Sequence, residues 1–134
     1  MSQCRHNLSG EVVMRELTTM EKAVTLALAE TVGSEAERDQ LLLDIQNCTV
    51  EDMVPDSSML RFHIPGYERP PQLGRDTFRG KDRFPVEGSI TDADGGEMDV
   101  LIFSDQNSRV LELELITHAV GPVVGPDWNN FKLK

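Results

Sequence analysis

The chain has few of the residues that small proteins use for covalent or metal-based stabilisation. Its 134 residues include two cysteines, Cys4 and Cys48, and three histidines that lie far apart in the sequence. Cys4 lies in an N-terminal stretch with little hydrophobic patterning, so an internal disulfide is not expected, and a reducing compartment fits this composition. No histidine or cysteine pair has the short spacing of a metal motif. The sequence therefore predicts neither a metal nor another cofactor.

The chain also lacks a long apolar run and an excess of bases. The opening "MSQCRHNLSGEVV" has no apolar signal-peptide core, and no run approaches the length of a transmembrane helix. We therefore expect a cytoplasmic protein. Lys and Arg number 13 against 23 Asp and Glu, which gives a net charge of −10 and a pI near 4.6. A field of this sign disfavours nucleic-acid and membrane binding and favours cationic partners, although it also promotes solubility.

Two helix starts are readable near the N-terminus. In "LTTMEKAVTLALAETVG", Thr18 precedes Glu21 by three residues, which is the spacing of a capping box, and Gly33 ends the run of helical periodicity. Ser34 and Glu37 repeat this spacing at the start of "SEAERDQLLLDIQN". The sequence therefore predicts two antiparallel helices joined by a tight Gly-Ser turn.

Strand signals fill most of the remaining chain. The runs "CTVEDMV" and "SSMLRFHI" flank Pro55 and predict a first hairpin. A final edge segment is expected around Phe131. We therefore predict an α+β fold in a single domain, with two N-terminal antiparallel helices packed on an antiparallel β-sheet of about four to six strands. Three further strands are predicted, and the turns "DADGG" and "SDQNS" separate them. These strands are Val86–Thr91, Met98–Phe103 and Val110–Ile116.

Two segments do not follow these patterns. Residues 1–15 are predicted to be a flexible lead. Residues 65–85 hold four of the seven prolines and are predicted to form a long loop, either functional or an irregular surface excursion. This loop is basic in an otherwise acidic chain, and its bases are Arg69, Arg75, Arg79, Lys81 and Arg83.

Carboxylates concentrate on the predicted hairpins. In the last long strand, Leu111, Leu113 and Leu115 alternate with Glu112 and Glu114, which predicts one buried face and one face open to solvent. The two glutamates would lie about 7 Å apart by strand rise, a distance that suits acid–base chemistry. Such chemistry needs a cleft that shifts the pKa values, so a solvated face is the preferred interpretation.

The turn "DADGGEMD" resembles the start of a calcium loop. Asp92 and Asp94 occupy its first and third positions. The positions that require Gly and a bidentate Glu are instead occupied by Glu97 and Phe103. We therefore interpret this segment as a structural turn.

Recognition of a basic protein is the remaining interpretation. Between Phe84 and Asp127 the chain carries nine acids and one base, so this segment holds most of the net charge. Clustered like charges cost stability, which a cationic partner would offset. The residues predicted to bind such a partner are Asp92, Asp94, Glu97, Asp99, Glu112 and Glu114, with Tyr67 and Trp128 as apolar contacts. Core packing is the competing interpretation of Trp128.

The order of motifs resembles a family of small, mostly bacterial α+β domains. In that family an "LT-x-x-E" helix start is followed by "V-x-D" and "L-x-F" strands, then "D-x-D-G", "D-x-x-G" and "L-x-E-L". This chain lacks the glycine of the second turn and carries the additional 65–85 loop. The matching residues are Leu17, Thr18, Glu21, Val50, Asp52, Leu60, Phe62, Asp92, Asp94, Gly95, Asp105, Leu111, Glu112, Glu114 and Leu115.

Small acidic domains of this kind are similar to immunity proteins of bacterial toxin–immunity pairs, including contact-dependent growth-inhibition systems. The resemblance implies a non-catalytic, cytoplasmic monomer that binds the C-terminal domain of a cognate toxin, often a basic nuclease, in a 1:1 complex. Its acidic face would then mimic the phosphates of the toxin's substrate. The alternatives are a divalent-metal-dependent enzyme that uses the hairpin carboxylates and a solitary acidic structural domain.

Overall fold

Both predicted helices form, and side-chain caps start them. The computed structural model describes residues 13–70, 82–118, 121 and 123–134. The Thr18 hydroxyl accepts the Glu21 amide at 3.1 Å, and the Glu21 carboxylate accepts the Thr18 amide at 2.9 Å, so the predicted capping box is confirmed. The Ser34 hydroxyl accepts the Glu37 amide at 3.4 Å. The helices are α1 (Thr19–Ala29) and α2 (Glu35–Asn47), and the strands are β1 (Thr49–Asp52), β2 (Met59–His63), β3 (Asp82–Asp92), β4 (Glu97–Ser104), β5 (Val110–Thr117) and β6 (Pro126–Leu133).

The six strands form one antiparallel sheet in the order β1-β2-β5-β4-β3-β6. The strands β1 and β2 form the predicted first hairpin, with Val50 opposite Phe62. The strands β3, β4 and β5 are the three strands predicted around the turns "DADGG" and "SDQNS", and they pair in sequence order as an antiparallel meander. Strand β6 adds to the free side of β3. The predicted α+β fold is therefore confirmed. No helix in the described ranges is long and apolar enough to cross a membrane.

One face of the sheet packs against the helices. Cross-strand partners point to the same side of the sheet. Leu60 of β2, Leu113 of β5 and Ile102 of β4 therefore form one row. These residues pack with Leu28 of α1 and Ile45 of α2 in a single core. We call this side the inner face, and the side that carries Glu97, Asp99, Glu112 and Glu114 the outer face.

The outer face is less open than the sequence predicts. Leu113 and Leu115 are buried as expected, but Glu112 is only 2% exposed. The prediction of a solvent-exposed face is therefore wrong at Glu112. Strand β5 is central, and Arg61 of β2 and Phe103 of β4 lie on either side of Glu112 and help to cover it.

The predicted segment boundaries also differ from those observed. Strand β3 begins at Asp82, so the long loop ends earlier than position 85. Residues 71–81 of that loop and residues 1–12 of the predicted lead lie outside the described residues. Arg15, assigned to the lead, is 6% exposed and forms an antiparallel bridge with Val50 at the outer edge of β1.

Candidate functional site

Asp92, the last residue of β3 in its hairpin with β4, is one of the predicted partner-binding carboxylates. Asp92 is 4% exposed, and its carboxylate accepts the backbone N–H groups of Val124 at 2.8 Å, Gly125 at 2.6 Å and Ala93 at 2.9 Å. These donors lower the pKa of Asp92. Asp92 therefore anchors the segment that leads into β6, and this geometry does not fit the predicted contact with a partner.

Asp94 and Glu97 lie at the exposed end of the same hairpin. The Asp94 carboxylate accepts the Gly96 amide at 2.8 Å, and Gly95 has a φ of +89°, a conformation that glycine adopts without a Cβ clash. The segment thus forms the structural turn that the sequence predicts. Both side chains are exposed, and neither has an ion-pair partner among the described residues. We call Asp94 and Glu97 the acidic tip.

Asp99 lies further along β4 and is contacted by two basic side chains. His118 Nε2 is 3.0 Å from one carboxylate oxygen, and Lys134 Nζ is 2.6 Å from the other. Lys134 also contacts Glu87 at 2.9 Å, so the end of the chain is fixed across β3 and β4. The hydrogen bond from His118, followed by that from Lys134, lowers the pKa of Asp99. Asp99 is therefore a half-buried, internally paired acid.

Glu112 and Glu114 do not form an open carboxylate pair. Both Nε and an Nη of Arg61 donate to Glu112 Oε2, the former at 3.1 Å. Glu114 is half-buried on the outer face, where Met59 and Leu101 are its cross-strand neighbours, and it has interactions of its own. The arrangement neutralises Glu112 within the sheet, which does not fit the predicted partner contact.

Tyr67 belongs to a network that the sequence did not reveal. Its hydroxyl donates to Asp105 at 2.6 Å, and the Arg109 guanidinium lies 4.2 Å from the centre of its ring. Arg109 in turn donates two hydrogen bonds to Asp44 of α2, at 2.7 and 2.8 Å. Tyr67 is thus an internal packing residue rather than a free anchor. We call Tyr67, Arg69, Asp105, Arg109 and Asp44 the Asp105 network.

Arg69 joins this network to two strands. It donates to Asp105 at 2.7 Å and to the carbonyl oxygens of Phe62 and Val110, each at 2.6 Å. Burial raises the pKa of Asp105, but the hydrogen bonds from Tyr67 and from nearby backbone amides outweigh it, so the net shift is downward. The network therefore fixes the beginning of the 65–85 segment against β2, β5 and α2.

Trp128 is also engaged within the fold. It is half-buried and packs with Phe131 against the inner-face core. The Phe131 ring lies directly over Gly88, where a Cβ would collide with it. Core packing, the competing interpretation, thus describes Trp128 better than an exposed interface anchor.

The chemical options of the described residues are limited. Within 13–70, 82–118, 121 and 123–134, no three His, Cys, Asp or Glu side chains are grouped so that they could hold a metal ion. The aspartates with resolved shifts have lowered pKa values, and these are Asp56, Asp92, Asp99 and Asp105. Such carboxylates stay ionised at neutral pH, which does not suit proton donation.

The chain belongs to the domain family of unknown function DUF6984, which matches residues 14–125. This match spans both helices and the first five strands. Neither a curated protein nor a solved structure matches the chain.

Proposed function

We propose that this domain is a non-catalytic binding protein that recognises a basic partner protein through the acidic tip, Asp94 and Glu97. The observation that carries the proposal is that these two exposed carboxylates have no ion-pair partner among the described residues of a protein with a net charge of −10. Other acids of the hairpins, such as Asp92 and Glu112, are already engaged by internal donors. The tip is therefore the part of the predicted acidic surface that is open to an external cation.

Hairpin geometry favours recognition at this position. The backbone of β3 and β4 is hydrogen-bonded up to the turn, and the Asp94–Gly96 hydrogen bond fixes the turn itself. A fixed backbone avoids the cost of ordering a loop when its carboxylates pair with a cation, so more of the interaction energy remains for binding. The long-range negative field would in addition accelerate the encounter with a basic surface.

The partner class we propose is a basic toxin domain, with this chain as its cytoplasmic immunity protein in a 1:1 complex. The acidic tip would occupy the position of substrate phosphates on a nuclease toxin. Asp99 and Glu114 lie on the outer face beyond the tip, but both have interactions within the fold, so the tip carries the proposed contact. This proposal combines the observed charge placement with the resemblance of the sequence motifs.

The test compares two variants with the same change in net charge. The chain is co-expressed with the C-terminal toxin domain encoded by the adjacent gene, and affinity is measured by calorimetry at low and high salt. Each exposed ion pair contributes up to about 1 kcal/mol, so D94N/E97Q should weaken low-salt binding about five- to thirtyfold. The control E30Q/E35Q changes two exposed helix-end acids and should bind like the wild type.

The calorimetric results distinguish recognition by the acidic tip from a general effect of net charge. Tight 1:1 binding that salt weakens, and that only the tip variant loses, would support the proposal. Equal loss in both variants would show that net charge rather than the acidic tip determines binding. An absence of binding at either salt concentration would reject this partner.

A further inference from the structure

Strand β6 separates from β3 in the middle of their pairing. Ser89 pairs with Lys132, and Thr91 pairs with Asp127. Between these pairs, β3 contributes Ile90 alone, whereas β6 contributes the residues 128–131. The edge strand must therefore arch away from β3, because the longer segment cannot follow the shorter one in register.

The arch borders an open, polar groove. Its volume is about 490 Å³, within the range of small-molecule sites. The walls carry the hydroxyls of Ser89 and Thr91, the amide of Asn130, the carboxylate of Glu97 and the ammonium of Lys132. Donors, acceptors and both signs of charge are thus present around one space.

The two charges of the groove lie on opposite sides of it. Glu97 is the cross-strand partner of Thr91 on β4, and Lys132 is the partner of Ser89 on β6. Strand spacings place their Cα atoms about 12 Å apart on the diagonal. Neither side chain has an ion-pair partner among the described residues, although neighbouring charges such as Lys134 are paired.

We propose that this groove binds a small zwitterion, whose ammonium group meets Glu97 and whose carboxylate meets Lys132. A singly charged ligand would be attracted by one wall and repelled by the other, whereas a dipolar ligand satisfies both. The hydroxyls of Ser89 and Thr91 and the Asn130 amide supply hydrogen bonds for the polar middle of the ligand. The inference goes beyond recognition of a basic protein and does not depend on it.

The test is an NMR titration of the isolated chain with three matched probes. L-glutamine carries both charges, N-acetyl-L-glutamine lacks the ammonium group, and L-glutaminamide lacks the carboxylate. L-glutamine should shift the backbone amides of Ser89, Thr91, Gly95 and Asn130 in a saturable manner. The dissociation constants of the two singly charged probes should be at least about tenfold higher, because each probe loses one charge-assisted hydrogen bond.

Variants then connect the shifts to the two charges. E97Q and K132Q should each raise the dissociation constant for L-glutamine by at least about tenfold, and E35Q on α2 should leave it unchanged. The absence of saturable shifts with L-glutamine would overturn the proposal. Equal binding of L-glutaminamide and L-glutamine would overturn it as well, because the groove would then recognise a cation alone.

Discussion

Replacing Arg15 with Met should destabilise the fold strongly, because Arg15 neutralises two buried carboxylates. Its guanidinium donates to Glu21 at 2.7 and 3.0 Å and to Asp52 at 3.0 and 3.2 Å. The three side chains are only 3%, 5% and 2% exposed. The variant Arg15→Met retains an apolar stem but leaves both carboxylates in the interior without this cation.

The magnitude follows from the cost of removing the cation from a buried ion network. Removing one partner of a buried ion pair costs about 3–5 kcal/mol. The unfolding entropy scales with chain length, so for 134 residues each kcal/mol lowers Tm by roughly 3.6 °C. Arg15→Met should therefore lower Tm by about 11–18 °C in a calorimetric scan. Urea unfolding should give the matching loss in free energy.

A surface arginine supplies the control. Arg38 lies 3.8 Å from Asp39 on α2, and the two side chains are 33% and 66% exposed. Arg38→Met makes the same chemical change but should cost no more than about 0.5 kcal/mol, or roughly 2 °C. If Arg15→Met lowered Tm by no more than Arg38→Met, the buried ion network would not stabilise the fold and this prediction would be refuted.

Two further predictions concern the attachment of β6. Gly88→Ala should cost about 1–3 kcal/mol in urea unfolding because the new Cβ displaces the Phe131 ring, whereas Gly33→Ala, with open space around it, should change stability by less than about 1 kcal/mol. Equal losses of stability in the two variants would contradict the close approach of the Phe131 ring to Gly88. Because its folded-state pKa is lowered, the Asp92 carboxylate stabilises the fold above its unfolded-state pKa of about 3.9, and this stabilisation is lost as pH falls through the folded value. In acid titrations the wild type should lose stability more steeply below about pH 4 than Asp92→Asn, and identical slopes would contradict this role.

The parts of the fold that the sequence predicts are those with local signals. The Thr18–Glu21 capping box is complete within four consecutive residues, and the structure forms it as expected. The turn around Gly95 is likewise encoded by adjacent residues that tolerate a positive φ. Such signals determine where a helix begins and where the chain reverses direction. The order of the elements and the fold class can therefore be predicted without knowledge of tertiary contacts.

The candidate site was less predictable because long-range partners determine the environment of each carboxylate. Glu112 has the alternation of a solvated residue, but Arg61, 51 positions earlier in the chain, neutralises it in the sheet interior. Asp105 has the pattern of an ordinary turn residue, yet Tyr67 and Arg69 reach it from another loop. Periodicity separates the two faces of a strand, but it does not reveal whether a polar face is covered.

The two proposals share Glu97, and their other residues separate them. E97Q should weaken binding of both the basic partner and the zwitterion, because each proposal pairs a cationic group with Glu97. Asp94 projects from the turn and is not among the residues that line the groove, so D94N should affect only the protein partner. Lys132 has the wrong sign to attract a basic surface, so K132Q should weaken the zwitterion and, by removing a positive charge, slightly strengthen the protein complex. Weaker binding of both ligands by E97Q, together with opposite responses to K132Q, would therefore identify two ligands that share one carboxylate.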